Sequence, residues 1–101
     1  MKMKNNDLLD MFLNGNGIGN ENHTGNLWID KYNMLVNYGT IIALYYDGKL
    51  ILNATKYSVT TTKHQNYIRR NFPKDRLVEV DRNEITDYAT KVMHAYWEDR
   101  D

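Results

Sequence analysis

The chain has 101 residues, of which 42% are hydrophobic and 26% charged. That is enough apolar material for one core and too little length for two domains. Thirteen basic and thirteen acidic side chains cancel, so overall charge gives no steer toward polyanions. The absence of cysteine excludes a disulfide scaffold, thiolate metal sites and thiol catalysis. No apolar run approaches the roughly 20 residues that span a bilayer.

The N-terminus, MKMKNNDLLDMFLNGNG, opens with two lysines. Asp10 breaks its apolar stretch, and Asn and Gly follow, which is not the pattern of a signal peptide. The expectation is a soluble, cytoplasmic protein with no membrane partner. Residues 7–13, DLLDMFL, are expected to form two helical turns capped by Asn6 or Asp7 and stopped before Gly15. Residues 14–26 hold four glycines and five asparagines and read as a flexible loop. The expected division is therefore 1–26, a short helix and loop, and 27–101, an α+β domain.

From Leu27 the composition turns to β-branched, aromatic and aliphatic residues. Leu27–Ile29, Met34–Tyr38 and Thr40–Tyr46 are strand candidates. Asp47-Gly48 is the strongest hairpin signal in the chain and should pair residues 40–46 with 49–55 antiparallel. Gly39 and the Lys31–Asn33 region are weaker turn signals. Residues 61–71, TTKHQNYIRRN, look helical, with Thr62 and Gln65 at capping-box spacing and Pro73 beyond the end. Leu77–Val80 is a short strand candidate. A last helix should run from Asn83 to about Trp97, with Asp81 and Glu84 as a second capping box. Ile85, Tyr88, Ala89, Val92, Met93 and Tyr96 would form its apolar face. These elements add up to a single α+β domain, a small antiparallel β-meander of three to four strands packed by two to three helices.

The neutral total hides an asymmetry. Residues 56–76 carry six basic side chains against one acid, a net of +5, and residues 77–101 carry three against seven, a net of −4. On a helix, Lys63, Tyr67 and Arg70 fall on one face, and Gln65 lies under Arg69. Lys56, Thr61, Thr62 and Lys74 flank them with hydroxyls and further charge. Cations, an aromatic ring and a helix start close together suit contacts with phosphates and bases. The alternative reading is structural. Threonine runs also serve strands and caps, basic helices usually face solvent, and Ile68, Val59 and His64 suit packing on a sheet.

Other constellations are weaker. Asn14 to Gly19, NGNGIG, fits neither the dinucleotide nor the P-loop pattern. His23, His64 and His94 have no metal-ligand spacing, so no metal and no cofactor is expected. No nucleophile elbow surrounds Ser58, and no catalytic residue is assigned. Eight tyrosines and two tryptophans are many for this length. Trp28, Tyr38, Tyr45 and Tyr88 are expected in the core. Tyr46 and Tyr57 are expected as surface anchors for a partner, with Glu98 and Asp99 in the acidic C-terminal stretch completing that interface.

The segments FLNG (12–15), NLWID (26–30), NYGTIIAL (37–44), the Asp-Gly hairpin and YSVTTTKHQ (57–65) together resemble a family of small proteins of phages and related mobile elements. The resemblance runs through residue 70 and does not reach the C-terminal helix. It implies a small phage-encoded domain acting in the infected cell, and it supplies no activity. By analogy with small phage proteins that block host machines, anti-CRISPR proteins among them, it suggests a non-catalytic inhibitor of a host nucleoprotein. The alternative is a nucleic-acid-binding module or phage regulator whose Thr60–Arg70 helix contacts DNA or RNA.

Overall fold

The computed structural model describes residues 2–98. The chain runs β1 (Lys2–Met3), α1 (Asn5–Leu13), β2 (Glu21–Asn22), β3 (Leu27–Ile29), β4 (Leu35–Asn37), β5 (Thr40–Tyr46), β6 (Lys49–Asn53), α2 (Val59–Asn71), a 3-10 turn (Lys74–Arg76), β7 (Leu77–Val80) and α3 (Arg82–Glu98). The seven strands form one sheet in sequential order. Strands β2 to β6 are antiparallel neighbours, whereas β1 pairs with β2, and β6 with β7, in parallel. The fold is α+β. The expected three or four antiparallel strands are corrected to a five-stranded meander with one parallel strand added at each edge.

The parallel edges decide where the helices lie. A parallel neighbour cannot be reached by a tight turn, so the chain must cross over. Helix α1 makes the crossing from β1 to β2, and α2 from β6 to β7. Strands β1 and β6 point the same way, and both crossings step the same way across the sheet. The right-handed crossover rule therefore puts both helices on one face. Leu8, Leu9 and Phe12 of α1, Ile68 of α2 and the adjoining Phe72 share one core with Leu27, Ile29, Leu35, Ile42, Ala43, Leu50 and Leu52. Helix α3 covers the opposite face, where Ile85 and Ala89 meet Met34, Leu44, Ile51 and Val80.

A nine-residue helix is marginal in water, so α1 persists because three of its side chains are in the core. Each contributes about 1.5–3 kcal/mol by burial. The core thus crosses the boundary expected at residues 26 and 27. A bulge assists it. Leu35 faces Ala43, but Val36 faces Ile41, so Ile42 is an extra residue on β5. That extra residue lets Ile42 and Ala43 both join the α1–α2 core.

The Asn/Gly-rich segment is corrected from a loop to a built connection that contains β2. Asn22 Nδ2 donates to Asn5 Oδ1 and Asn26 Oδ1, both at 2.8 Å, and its Oδ1 accepts from Leu27 N. Asn37 Nδ2 donates to the Asn26 carbonyl, and Thr61 Oγ1 donates to Asn37 Oδ1 at 2.7 Å. One polar seam therefore ties α1, β2, β4 and α2. Gly17 has φ 115°, and a Cβ there would stand 2.8 Å from Ile29 Cδ1 and 3.1 Å from Met11 Cβ. Its glycine is a packing requirement, not part of a phosphate cradle.

The turns match their chemistry, with one surprise. Asp47 and Gly48 both have positive φ, the mirror-image turn expected of Asp-Gly. Tyr38 (φ 52°) and Gly39 (φ 80°) repeat it between β4 and β5. The turn puts Tyr38 outside the core at 60% exposure, contrary to expectation. Val59 is likewise exposed. Tyr45 does pack against the core and donates to the Phe12 carbonyl at 2.6 Å. Burial pushes its phenol up to about 12.

Candidate anion-binding cleft

The segment Tyr57–Gln65 divides its side chains between two jobs. Ser58 caps α2, its Oγ accepting from Thr61 N. That corrects the expected capping box, because Gln65 turns inward instead. Gln65 Nε2 donates to the Asn53 carbonyl at 2.7 Å and the Thr55 carbonyl at 3.0 Å. Tyr57 accepts from Asn53 Nδ2 and packs against the core. Thr62 donates back to the Ser58 carbonyl. Thr61, Gln65 and Ile68 are buried. Thr61 and Gln65 thus fasten the helix to the sheet and are withdrawn from any partner surface.

The charged residues of the segment are not brought to one place. Arg69 is held by Glu79, with Nη2 at 2.7 Å and Nε at 2.9 Å from Oε1, and Nη1 donates to Asn66. Glu79 comes from the acidic C-terminal quarter, so the bipolar split closes partly on itself. Arg76 stacks over Phe72 and donates to the Gly48 carbonyl. Lys74 is exposed on the 3-10 turn beside Arg69 and Glu79, and Lys56 is exposed ahead of α2. Tyr46 is not a free anchor, because it packs edge-on against Tyr88 under Lys91. Glu98 is exposed at the end of α3 beside Trp97 and His94, and Asp99 lies outside the described residues.

Lys63, Tyr67 and Arg70 do come together, as their spacing predicts. They form one wall of a cleft of about 400 Å³ between α2 and the start of α1, with Thr60 and Asn66 beside them and Asn5 and Asn6 opposite. Asn5 lies by the first turns of α2, and Asp10 accepts from the Tyr67 hydroxyl at 2.5 Å. The two helices therefore start at the same end. The N-cap of α1 is Lys4, which supplies no side-chain oxygen, so the start of α1 borders the cleft without a side-chain cap, and Asp7 in the first turn offsets part of its dipole. The hydrogen bond to Asp10 raises the Tyr67 pKa.

His64 is the residue that sequence reasoning set aside. It lines this cleft, yet it is only 4% exposed, and its Nε2 has no hydrogen-bond partner. Burial lowers its pKa. Its signal in the sequence was position: His64 falls one residue after Lys63, on the edge between the inward and outward sides of α2. Among the described residues no three His, Asp or Glu side chains group as a metal site, and no helix is long and apolar enough to cross a membrane.

Comparison with curated proteins and with solved structures yields no match to either. A family model does match, over residues 5–87. The matched stretch starts with α1, includes both walls of the cleft and ends in the second turn of α3. The chain belongs to this family, a family of unknown function (DUF8033).

Proposed function

We propose that this protein acts by binding rather than by catalysis, and that it occupies a host nucleoprotein complex as a phage-type inhibitor, an anti-CRISPR-like role. The cationic outer side of α2 would meet the partner's phosphates. One observation carries the reading. Lys63 and Arg70 are exposed, and among the described residues neither is in an ion pair, on a helix whose other side is locked to the sheet. Occlusion needs affinity and a rigid surface, not reacting groups. Phosphate contacts from such a surface give affinity that weakens with salt. The exposed Glu98 and the half-exposed Trp97 at the end of α3 offer protein contacts away from the cations.

The test is recovery of partners from infected-host lysate on the tagged protein, with and without nuclease. A specific protein that stays bound after nuclease is the expected result, and Lys63→Ala with Arg70→Ala should release it. Nucleic acid alone, lost after nuclease, would instead make the chain a nucleic-acid-binding module with α2 against DNA or RNA. Full retention by the double variant would remove α2 from the interface.

A further inference from the structure

The cleft between α1 and α2 has the makings of a more specific site than a basic patch. Two cations, Lys63 and Arg70, line it. The start of α1 faces them with the side-chain amides of Asn5 and Asn6 and an N-cap that carries no side-chain acceptor. Independently, His64 brings to the same cleft a side chain that is more than nine-tenths buried, with Nε2 unpartnered. Native proteins rarely leave a buried ring nitrogen unsatisfied, and such an atom calls for a missing partner. An imidazole, an ammonium, a guanidinium, amides and a helix start are together a donor set for a phosphoryl oxygen cluster.

The charge layout also says what kind of phosphate fits. A groove that tracks a nucleic-acid backbone is positive along its whole length. This cleft is not. Asp10 accepts from the Tyr67 hydroxyl at the edge of the cationic wall, and Asp7 adds its field at the same ring. A chain of phosphodiesters running from Lys63 past Tyr67 would meet those carboxylates. A single phosphate entering beside Lys63 and Thr60 lies a helical turn short of the Tyr67–Asp10 pair and has only Asp7, in the first turn of α1, as an acidic neighbour, and the partly exposed Tyr67 ring, with Arg70 at 6.0 Å, is placed to take a base or sugar behind it.

We propose that the cleft is a binding site for a terminal phosphomonoester of a nucleotide, its phosphate held by Lys63, His64 and the N-terminal turn of α1, with Tyr67 and Arg70 beside the base or sugar. The group can come from a free mononucleotide or from the phosphorylated end of a nucleic-acid strand. The proposal rests on the phosphate-binding reading of α2 above, and it narrows that reading from any phosphate to a chain end.

Amide NMR spectra of the intact protein test it with four probes: inorganic phosphate, adenosine 5′-monophosphate, adenosine, and a short oligonucleotide with either a 5′-phosphate or a 5′-hydroxyl. The monophosphate should shift Asn5, Asn6, Lys63 and His64, and adenosine at the same concentration should not. If only the free nucleotide binds, the source is a mononucleotide. If the 5′-phosphorylated strand binds as well and its 5′-hydroxyl twin does not, the source includes strand ends. Lys63→Met with Arg70→Met, both at exposed positions, should keep the native spectrum and weaken the monophosphate by about tenfold or more. Equal shifts with adenosine, equal binding of the two strands, or shifts confined to other surfaces would overturn the proposal. These outcomes are separable from those of the lysate experiment. A partner recovered through α2 with no preference for a terminal phosphate sinks this proposal alone. A bound monophosphate with no recovered nucleoprotein sinks the inhibitor reading alone.

Discussion

The two sides of α2 carry similar residues and do opposite work. Its inward side uses Thr61, Gln65 and Ile68, and its outward side uses Lys63, Asn66, Tyr67 and Arg70. Both sides are rich in polar groups, so composition does not separate them. What separates them is satisfaction. The inward hydroxyl and amide end on Asn37, Asn53 and Thr55, where a lost partner leaves a buried carbonyl or amide unpaired. The outward ammonium of Lys63 and guanidinium of Arg70 end in solvent or on an open ring. A polar residue in a helix is thus evidence of function only once its partners are known.

Substitutions on the inward side of α2 should do the most damage. Ile68 is fully buried between the helix and the sheet. Ile68→Ala should cost about 2–5 kcal/mol, read as a lower denaturant midpoint. A loss below about 1 kcal/mol would mean that α2 is not docked as described. Next comes Gln65→Leu, which keeps the bulk of the side chain but removes the donors to the Asn53 and Thr55 carbonyls. Its expected cost is about 1–3 kcal/mol, and an unchanged midpoint would show that those carbonyls find other donors.

These two positions also show how far the sequence could be read. Strands β5 and β6, their Asp-Gly turn, α2, β7 and α3 were legible because each follows from a local signal: a two-residue turn, a capping aspartate, a 3.6-residue stripe. Asp81 indeed accepts from Asn83 N and Glu84 N at the start of α3. The parallel edge strands were not legible. β1 and β2 are two residues each, too short for any alternation, and they exist only because α1 returns the chain beside its start. The cleft was half legible. The spacing of Lys63, Tyr67 and Arg70 put them on one face, but Asn5 and Asn6 are far away in sequence and arrive through the crossover. Thr61 and Gln65 looked like ligand contacts because the same chemistry serves a buried seam. Tyr38 was misread because an aromatic residue rarely adopts positive φ.

His64 lies on the border between the two sides and sharpens the contrast through pH. Burial holds its folded-state pKa below the ordinary 6.5. The unfolded chain therefore takes up the proton first as pH falls. His64's contribution to stability is constant above the unfolded value, declines as pH drops through the window between the two pKa values, and levels off below the folded one. Denaturant midpoints measured through that window should fall, and His64→Gln should remove the part of the slope that His64 supplies. A slope unchanged by the substitution would show that His64 titrates alike in both states.

The finest test uses two adjacent residues. Arg69 and Arg70 differ by one position and by one partner. Arg69 reaches Glu79 across to β7 through two nitrogens, with both side chains partly exposed, so Arg69→Ala should cost about 0.2–1 kcal/mol, and less in high salt. Arg70 makes no such pair among the described residues, so Arg70→Ala should leave stability within about 0.5 kcal/mol. In partner recovery the order should invert, with Arg70→Ala weakening capture and Arg69→Ala largely sparing it. If Arg69→Ala weakened capture as much, the arginine would have to leave Glu79 to bind. The cationic surface would then extend around α2 toward Lys74, instead of being confined to the cleft.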